Sequence, residues 1–389
     1  MNDTQDMAIA RVSLYSTRLK MGAFWATSTA LVTALAALTL AGPVSASDTN
    51  TTKLLSTINV ASPWGIAVDE RRGTVYVTSG SSVSVINEDT DKVTAVIPVA
   101  GFGFAIALDP YRGKVYTASY TGQVVSVIDE ASNSVTKTIS LPCGSTLAVA
   151  VDPYRGKAYV GCGNLVEVID EGTDTISTSI TLPYAPQAQG LAVDPIRGIL
   201  YAAAGPIPPY ALYAIDEDTA TVSATTISMP TQSNGLAVDP IGGRVYVPNE
   251  GFIINETTSP YAAATVTVVD EHTNEITATI PSGYRTFAVA FDPLNQTLYA
   301  VNEGYTTASA NGLGITGPTP ASLAVIDTVS NKVTDTIPLT PFATDVGVDS
   351  VRRKVYVSEG GGVVAVFSVG APRHWIDYKK SLDKCDDKH

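Results

Sequence analysis

The chain has 389 residues, 16% of them charged, with a formal net charge of −13, three histidines and three cysteines. That acidity disfavours nonspecific nucleic-acid binding, which draws its affinity from Lys and Arg on phosphates, and it suits a soluble monomer. Three cysteines are no disulfide framework, so the fold has to stand on an apolar core.

Residues 1–46 read as a secretory signal peptide. Arg11, Arg18 and Lys20 form a basic region, and Gly22 to Ala41 is apolar with scattered Ser and Thr. Gly42-Pro43 breaks the run, and Val44-Ser45-Ala46 is a small-x-small cleavage site. The apolar run is also about long enough to span a bilayer as an uncleaved anchor. Pro43 and the small residues favour cleavage after Ala46, which gives a secreted or cell-surface protein with no later span.

Residues 47–369 are built from a repeat. Asp69, Asp109, Asp152, Asp194, Asp239, Asp292 and Asp349 each end an apolar run. Seven residues after each comes a tyrosine: Tyr76, Tyr116, Tyr159, Tyr201, Tyr246, Tyr299 and Tyr356. Each unit predicts four short strands. Strand A is the run into Asp, and a turn such as Asp109-Pro110-Tyr111-Arg112-Gly113 follows it. Strand B is of the Val75-Tyr76-Val77 type, strand C runs as Val125 to Asp129, and strand D is Thr-rich, as Lys332 to Ile337. Units of four strands at this period predict a seven-bladed β-propeller of antiparallel blades, all-β. Lys53 to Val60 looks like a strand D ahead of the first strand A, and the last unit has none of its own. The N-terminal strand is therefore expected to pair with Val363 to Val369 and close the ring.

The runs Val75-Tyr76-Val77-Thr78 and Val83-Ser84-Val85-Ile86-Asn87, with their sister copies over residues 52 to 369, resemble the YVTN-type propeller repeat. The resemblance implies an exported or surface-layer protein with a binding or scaffold role. The repeated Tyr is expected to pack between blades. Residues 370–389 form a charged tail that is expected to lie outside the ring. Cys143 and Cys162 flank the hairpin that turns at Asp152 to Lys157, close to facing each other at its open end, and are expected to form a disulfide.

The A-to-B and C-to-D turns are short and uniform, whereas the B-to-C loops vary. Insertions occur at 205–210, from 249 to about 264, and from 302 to about 321, all on one face over neighbouring blades. Insertions on one face of a repeat protein mark a binding face. Asn249-Glu250-Gly251, Asn302-Glu303-Gly304 and Ser358-Glu359-Gly360 are read as equivalent positions. They are expected to bring Glu250, Glu303 and Glu359 to one arc of the channel mouth. Such carboxylates suit Ca²⁺ or acid–base work on a sugar or acyl substrate; the alternative is a family turn whose Glu faces water. Tyr284, Arg285 and Asp345 are candidate ligand-binding residues beside them, and Trp64, Phe102, Phe104 and Phe342 share the mouth. Arg285 suits an anionic ligand or a neighbouring Glu. His272, His374 and His389 do not map to the channel, which sets aside a histidine metal site or a His-based triad. The functional expectation is a binding or scaffold protein for a glycan, peptide or protein. The other reading is an extracellular lyase, lactonase or glycan hydrolase using the same glutamates.

Overall fold

The computed structural model describes residues 52–143, 146–183, 187–251, 264–304 and 320–370. Within them lie 28 strands, β1 (Lys53–Asn59) to β28 (Val363–Ser368), in seven four-stranded antiparallel sheets. The first blade is β2 (Pro63–Asp69), β3 (Thr74–Ser79), β4 (Ser82–Asn87) and β5 (Lys92–Pro98), the strands A to D of the repeat. The chain is a seven-bladed β-propeller. No helix among the described residues is long and apolar enough to cross a membrane.

Each repeated residue has a local task. At the A-to-B turn, Asp109 Oδ1 accepts the N–H groups of Tyr111 (2.7 Å) and Arg112 (3.0 Å), and Gly113 takes a φ of 66° that a side chain would strain. At the C-to-D turn, Asp129 Oδ1 accepts both the N–H and the hydroxyl of Ser132. Four other turns pair Asp in the same way with a Ser or Thr three residues on, and Asn87 does so with Thr90. Strand D slips register against strand C, as between Val85 and Ile86, and the first Thr of the strand-D motif repairs the slip. Thr94, Thr136, Thr277 and Thr334 donate their hydroxyls to strand-C carbonyls, and Ser177 does the same in the third blade. This explains why strand D is Thr-rich: the hydroxyl satisfies a carbonyl that the bulge leaves without a ladder partner.

Apolar clusters fill the spaces between neighbouring blades. The seven repeat tyrosines are all at most 1% exposed within them. Around these rings runs a set of buried ionic clasps. Arg72 reaches Asp69 (2.8 Å) in its own blade and Glu130 (2.5 Å) in the next. Arg112, Arg155, Arg197 and Arg352 make the same double contact with Asp109 and Glu171, Asp152 and Glu217, Asp194 and Glu271, and Asp349 and Glu88. Gly242 and Asn295 take the Arg position in the fifth and sixth blades, and there the Glu of the following blade is Thr328 or Val369. Arg and Glu are present together or absent together.

The ring closes where the sequence places the closure. β1 pairs antiparallel with β28, from Lys53 opposite Ser368 to Asn59 opposite Val363, and Val60 N–H donates to Gly362 O at 3.0 Å. Ile58 and Val60 are buried against Ile66, Val75 and Val77 of the first blade. Cys143 and Cys162 are disulfide-bonded with a Cα separation of 5.4 Å, joining the start of one strand A to the end of its strand B. A Cys143→Ala/Cys162→Ala variant is expected to lose about 3 kcal/mol in denaturant unfolding, for a loop of this length. An unchanged midpoint under nonreducing conditions would show that the bridge does not form in solution. The tail from 371 to 389 lies outside the described residues.

Candidate functional site

The mouth of the channel is built by the ends of strands B and the starts of strands A. In the fifth and sixth blades, β19 (Arg244–Asn249) and β23 (Thr297–Asn302) end on buried asparagines. Asn249 Nδ2 donates to Thr267 Oγ1 (2.9 Å) and Thr265 Oγ1 (3.1 Å). Asn302 Nδ2 donates to Ser282 O (2.9 Å) and Ser322 Oγ (3.0 Å). Gly251 and Gly304 follow with φ of 69° and 62°, and a Cβ on Gly304 would collide with the backbone of Ala321. In Asn-Glu-Gly, then, Asn anchors the strand end, Gly turns the chain, and Glu is left for the mouth.

Arg285 joins the two glutamates. Its Nε lies 3.1 Å from Glu250 Oε2 and its Nη1 lies 2.7 Å from Glu303 Oε2. Arg285 itself sits at φ 56°, a left-handed conformation uncommon for a non-glycine residue. Glu250 also accepts hydrogen bonds from Gln232 Nε2 (2.8 Å) and Asn234 Nδ2. Both carboxylates are buried at the side chain, 0% and 12% exposed, with Arg285 at 19%. Burial raises the pKa of Glu303, Arg285 pulls it back, and the charge of Glu250 pushes it up again. Two carboxylates share one guanidinium, so the cluster is anionic and held in place. It suits a cationic or hydroxyl-rich ligand better than the anion that a lone Arg285 suggests. Tyr284, half-buried, immediately precedes Arg285.

Glu359 does not belong to this set. Counted from the strand-B tyrosine, it falls three residues on, level with Asn249 and Asn302, while Glu250 and Glu303 fall four residues on. It is the last residue of β27 (Lys354–Glu359). An offset of one residue turns a side chain to the other face of a strand. Its Oε2 accepts the N–H of Thr340 at 3.3 Å. The expected arc of three equivalent carboxylates is a pair with a bridging arginine. Among the described residues, no group of three or more His, Cys, Asp and Glu side chains is placed to hold a metal ion.

Next to the pair, the channel holds a cavity of about 210 Å³ lined by strand-A residues. Trp64 and Phe104 wall one side, with ring centroids 4.9 Å apart, and Phe102 and Tyr120 extend the cluster at 6.1 and 5.8 Å. Asp345 is its one acidic lining residue, and Asn234 joins the cavity to Glu250. Of the varied loops, residues 205–210 are described and expose Ile207 at 62%. The insertions at 252–263 and 305–319 lie outside the described residues. Gln232 and Asn234 escape a motif search, because neither belongs to a recurring tripeptide. Aligning the seven strand-A starts position by position is the signal that finds Asn234.

No family model and no curated protein matches the sequence. Among solved structures, the chain is similar to a protein described as Kuenenia stuttgartiensis hydrazine synthase. The TM-score is 0.65 and the identity 17%, over 84% of this chain and 98% of that one. The likeness is one of fold. Propellers host many unrelated activities, so chemistry has to be argued from the site.

Proposed function

We propose that this chain is an exported propeller of the YVTN-repeat type that binds a glycan, peptide or protein outside the cell, without catalysis. The binding surface is the mouth over blades four to seven. The rim expected from the sequence is residues 205–210, 251–264 and 304–321, of which 252–263 and 305–319 lie outside the described residues, and Glu250, Arg285 and Glu303 lie at the mouth. The observation that carries this reading is the bridge of Arg285 to both glutamates. An acid–base pair needs one carboxyl free to give a proton and another free to take it. Here both are tied to one guanidinium, and Glu250 is further fixed by Gln232 and Asn234. A fixed anionic platform beneath variable loops suits recognition of hydroxyl or amino groups. The leader and the acidic surface fit an extracellular, monomeric protein.

The test is capture on immobilised glycan and peptide arrays by the full chain and by a Glu250→Gln/Glu303→Gln variant, with folding checked by circular dichroism. The variant is expected to lose at least about tenfold in affinity, the scale of a charge-assisted hydrogen bond. Undiminished capture by a folded variant would place the site elsewhere.

A further inference from the structure

The cavity departs from the repeat at one position. Four residues before the strand-A aspartate, six blades carry Gly or Ala: Gly65, Ala105, Ala148, Gly190, Gly235 and Ala288. Small residues are needed there because the strands A crowd the channel; a Cβ on Gly65 would meet Phe104 O at 2.6 Å. The seventh blade carries Asp345 instead. Its carboxylate accepts two backbone N–H groups, from Ile66 (2.8 Å) across the blade junction and from Val346 (2.9 Å). Each oxygen keeps lone-pair capacity for a further partner. Burial pushes the Asp345 carboxyl up to about 7.

The wall beside it is aromatic. One residue earlier in each strand A, three blades carry an aromatic side chain, Trp64, Phe104 and Phe287, and Trp64 and Phe104 stack at a tilt of 35°. Trp64 lies at the junction with the seventh blade, where its carbonyl accepts the Thr344 hydroxyl at 3.4 Å. The deeper wall is aliphatic, with Ile66 and Ile106. A half-buried carboxylate lining one cavity with aromatic side chains is a composition that recognises an alkylated ammonium ion. The rings attract its charge through their quadrupoles, and its methyl groups need no hydrogen bonds.

We propose that the channel cavity binds a small methylated ammonium ion, with Asp345 opposing its charge and Trp64 and Phe104 receiving its methyl groups. A purely structural Asp345, tying the seventh blade to Ile66, would have no need of the aromatic wall. This site adjoins the Glu250–Arg285–Glu303 platform through Asn234 but uses none of its three charged groups, so its failure would leave the proposed rim function standing.

Tetramethylammonium chloride is the probe, titrated into the full chain at pH 8 against sodium chloride at matched ionic strength. Isothermal calorimetry and tryptophan fluorescence provide the readouts. Three tryptophans exist in the sequence, and Trp64 alone lies among the described residues, so a Trp64→Phe control isolates its signal. Saturable binding is expected, weakened at least about tenfold by Asp345→Asn. Trp64→Leu keeps the Asp345 bond to Ile66, and is expected to weaken calorimetric binding similarly even if Asp345→Asn disturbs the ring. The absence of saturable binding, equal binding of neutral tert-butanol, or undiminished affinity in a folded Trp64→Leu variant would overturn the proposal.

Discussion

Deletion of residues 47–60 is expected to cost the propeller at least several kcal/mol and to yield a protein that aggregates or melts roughly 10 °C lower. The deletion removes a whole strand ladder, leaves β28 as an open edge, and uncovers the cluster that Ile58 and Val60 complete. Burying two such side chains contributes roughly 1.5–3 kcal/mol each, and an unpaired edge invites association with other chains. The point variants Ile58→Ala and Val60→Ala test the packing alone, and each is expected to destabilise by about 2–4 kcal/mol in denaturant unfolding. A deletion variant with an unchanged melting temperature and no gain in protease sensitivity would mean that closure does not stabilise the ring.

Stability is expected to fall as pH rises from about 5 to 9. Each clasp buries two carboxyls around one arginine, and desolvation raises the glutamate in every one. Glu130 is pushed up to about 7, Glu171, Glu217 and Glu271 to about 8, and Glu88 to about 9. The paired Asp109 is instead lowered, despite burial, by hydrogen bonds that include one with Glu171. In that clasp Glu171 is thus the partner that takes up the proton first. A raised pKa means that the folded state holds protons that the unfolded chain releases above about 4.5. This stabilisation is therefore complete below that pH and is lost as the pH climbs through 7 to 9. Even one unit per clasp, about 1.4 kcal/mol, sums over five clasps to roughly 7 kcal/mol. Melting temperatures at pH 5 and pH 9 are expected to differ by roughly 10 °C, with pH 5 the higher. Glu171→Gln, a permanent mimic of the protonated side chain, should be near neutral at pH 5 and stabilising at pH 9. A flat profile between those pH values would rule out the buried-proton account.

The blades are legible because the repeat is written in residues with local tasks. Asp and Gly at the A-to-B turn, Asp with Ser or Thr at the C-to-D turn, and Thr in strand D each satisfy a backbone group a few positions away, so their spacing survives in the sequence. The ring closure is legible for a related reason: the extra strand D at one end matches the deficit at the other. The clasps are harder to see, since Arg72 and Glu130 lie in different repeats and their link appears only when blades are stacked. The joint loss of Arg and Glu at Gly242 with Thr328, and at Asn295 with Val369, is the trace they leave. At the mouth, Glu250, Glu303 and Arg285 are suggested by their recurrence and charge. The shared Glu-Gly also draws in Glu359, because a tripeptide match ignores the one-residue register that decides which face a strand residue occupies. Asp345 attracts notice as a carboxylate near the mouth. Its meaning depends on the six small residues that occupy its position in the other blades.

Positions that obey the repeat hold the ring together, and the departures from it at the mouth are proposed to recognise a ligand. The most direct measurement takes the Glu250→Gln/Glu303→Gln and Glu171→Gln variants through the same two assays, array capture and melting at pH 5 and 9. The account predicts that the mouth variant loses capture and keeps the pH dependence of its melting. The clasp variant should keep capture and melt higher at pH 9. A mouth variant that still captures ligand, or a clasp variant that loses capture while fully folded, would contradict it.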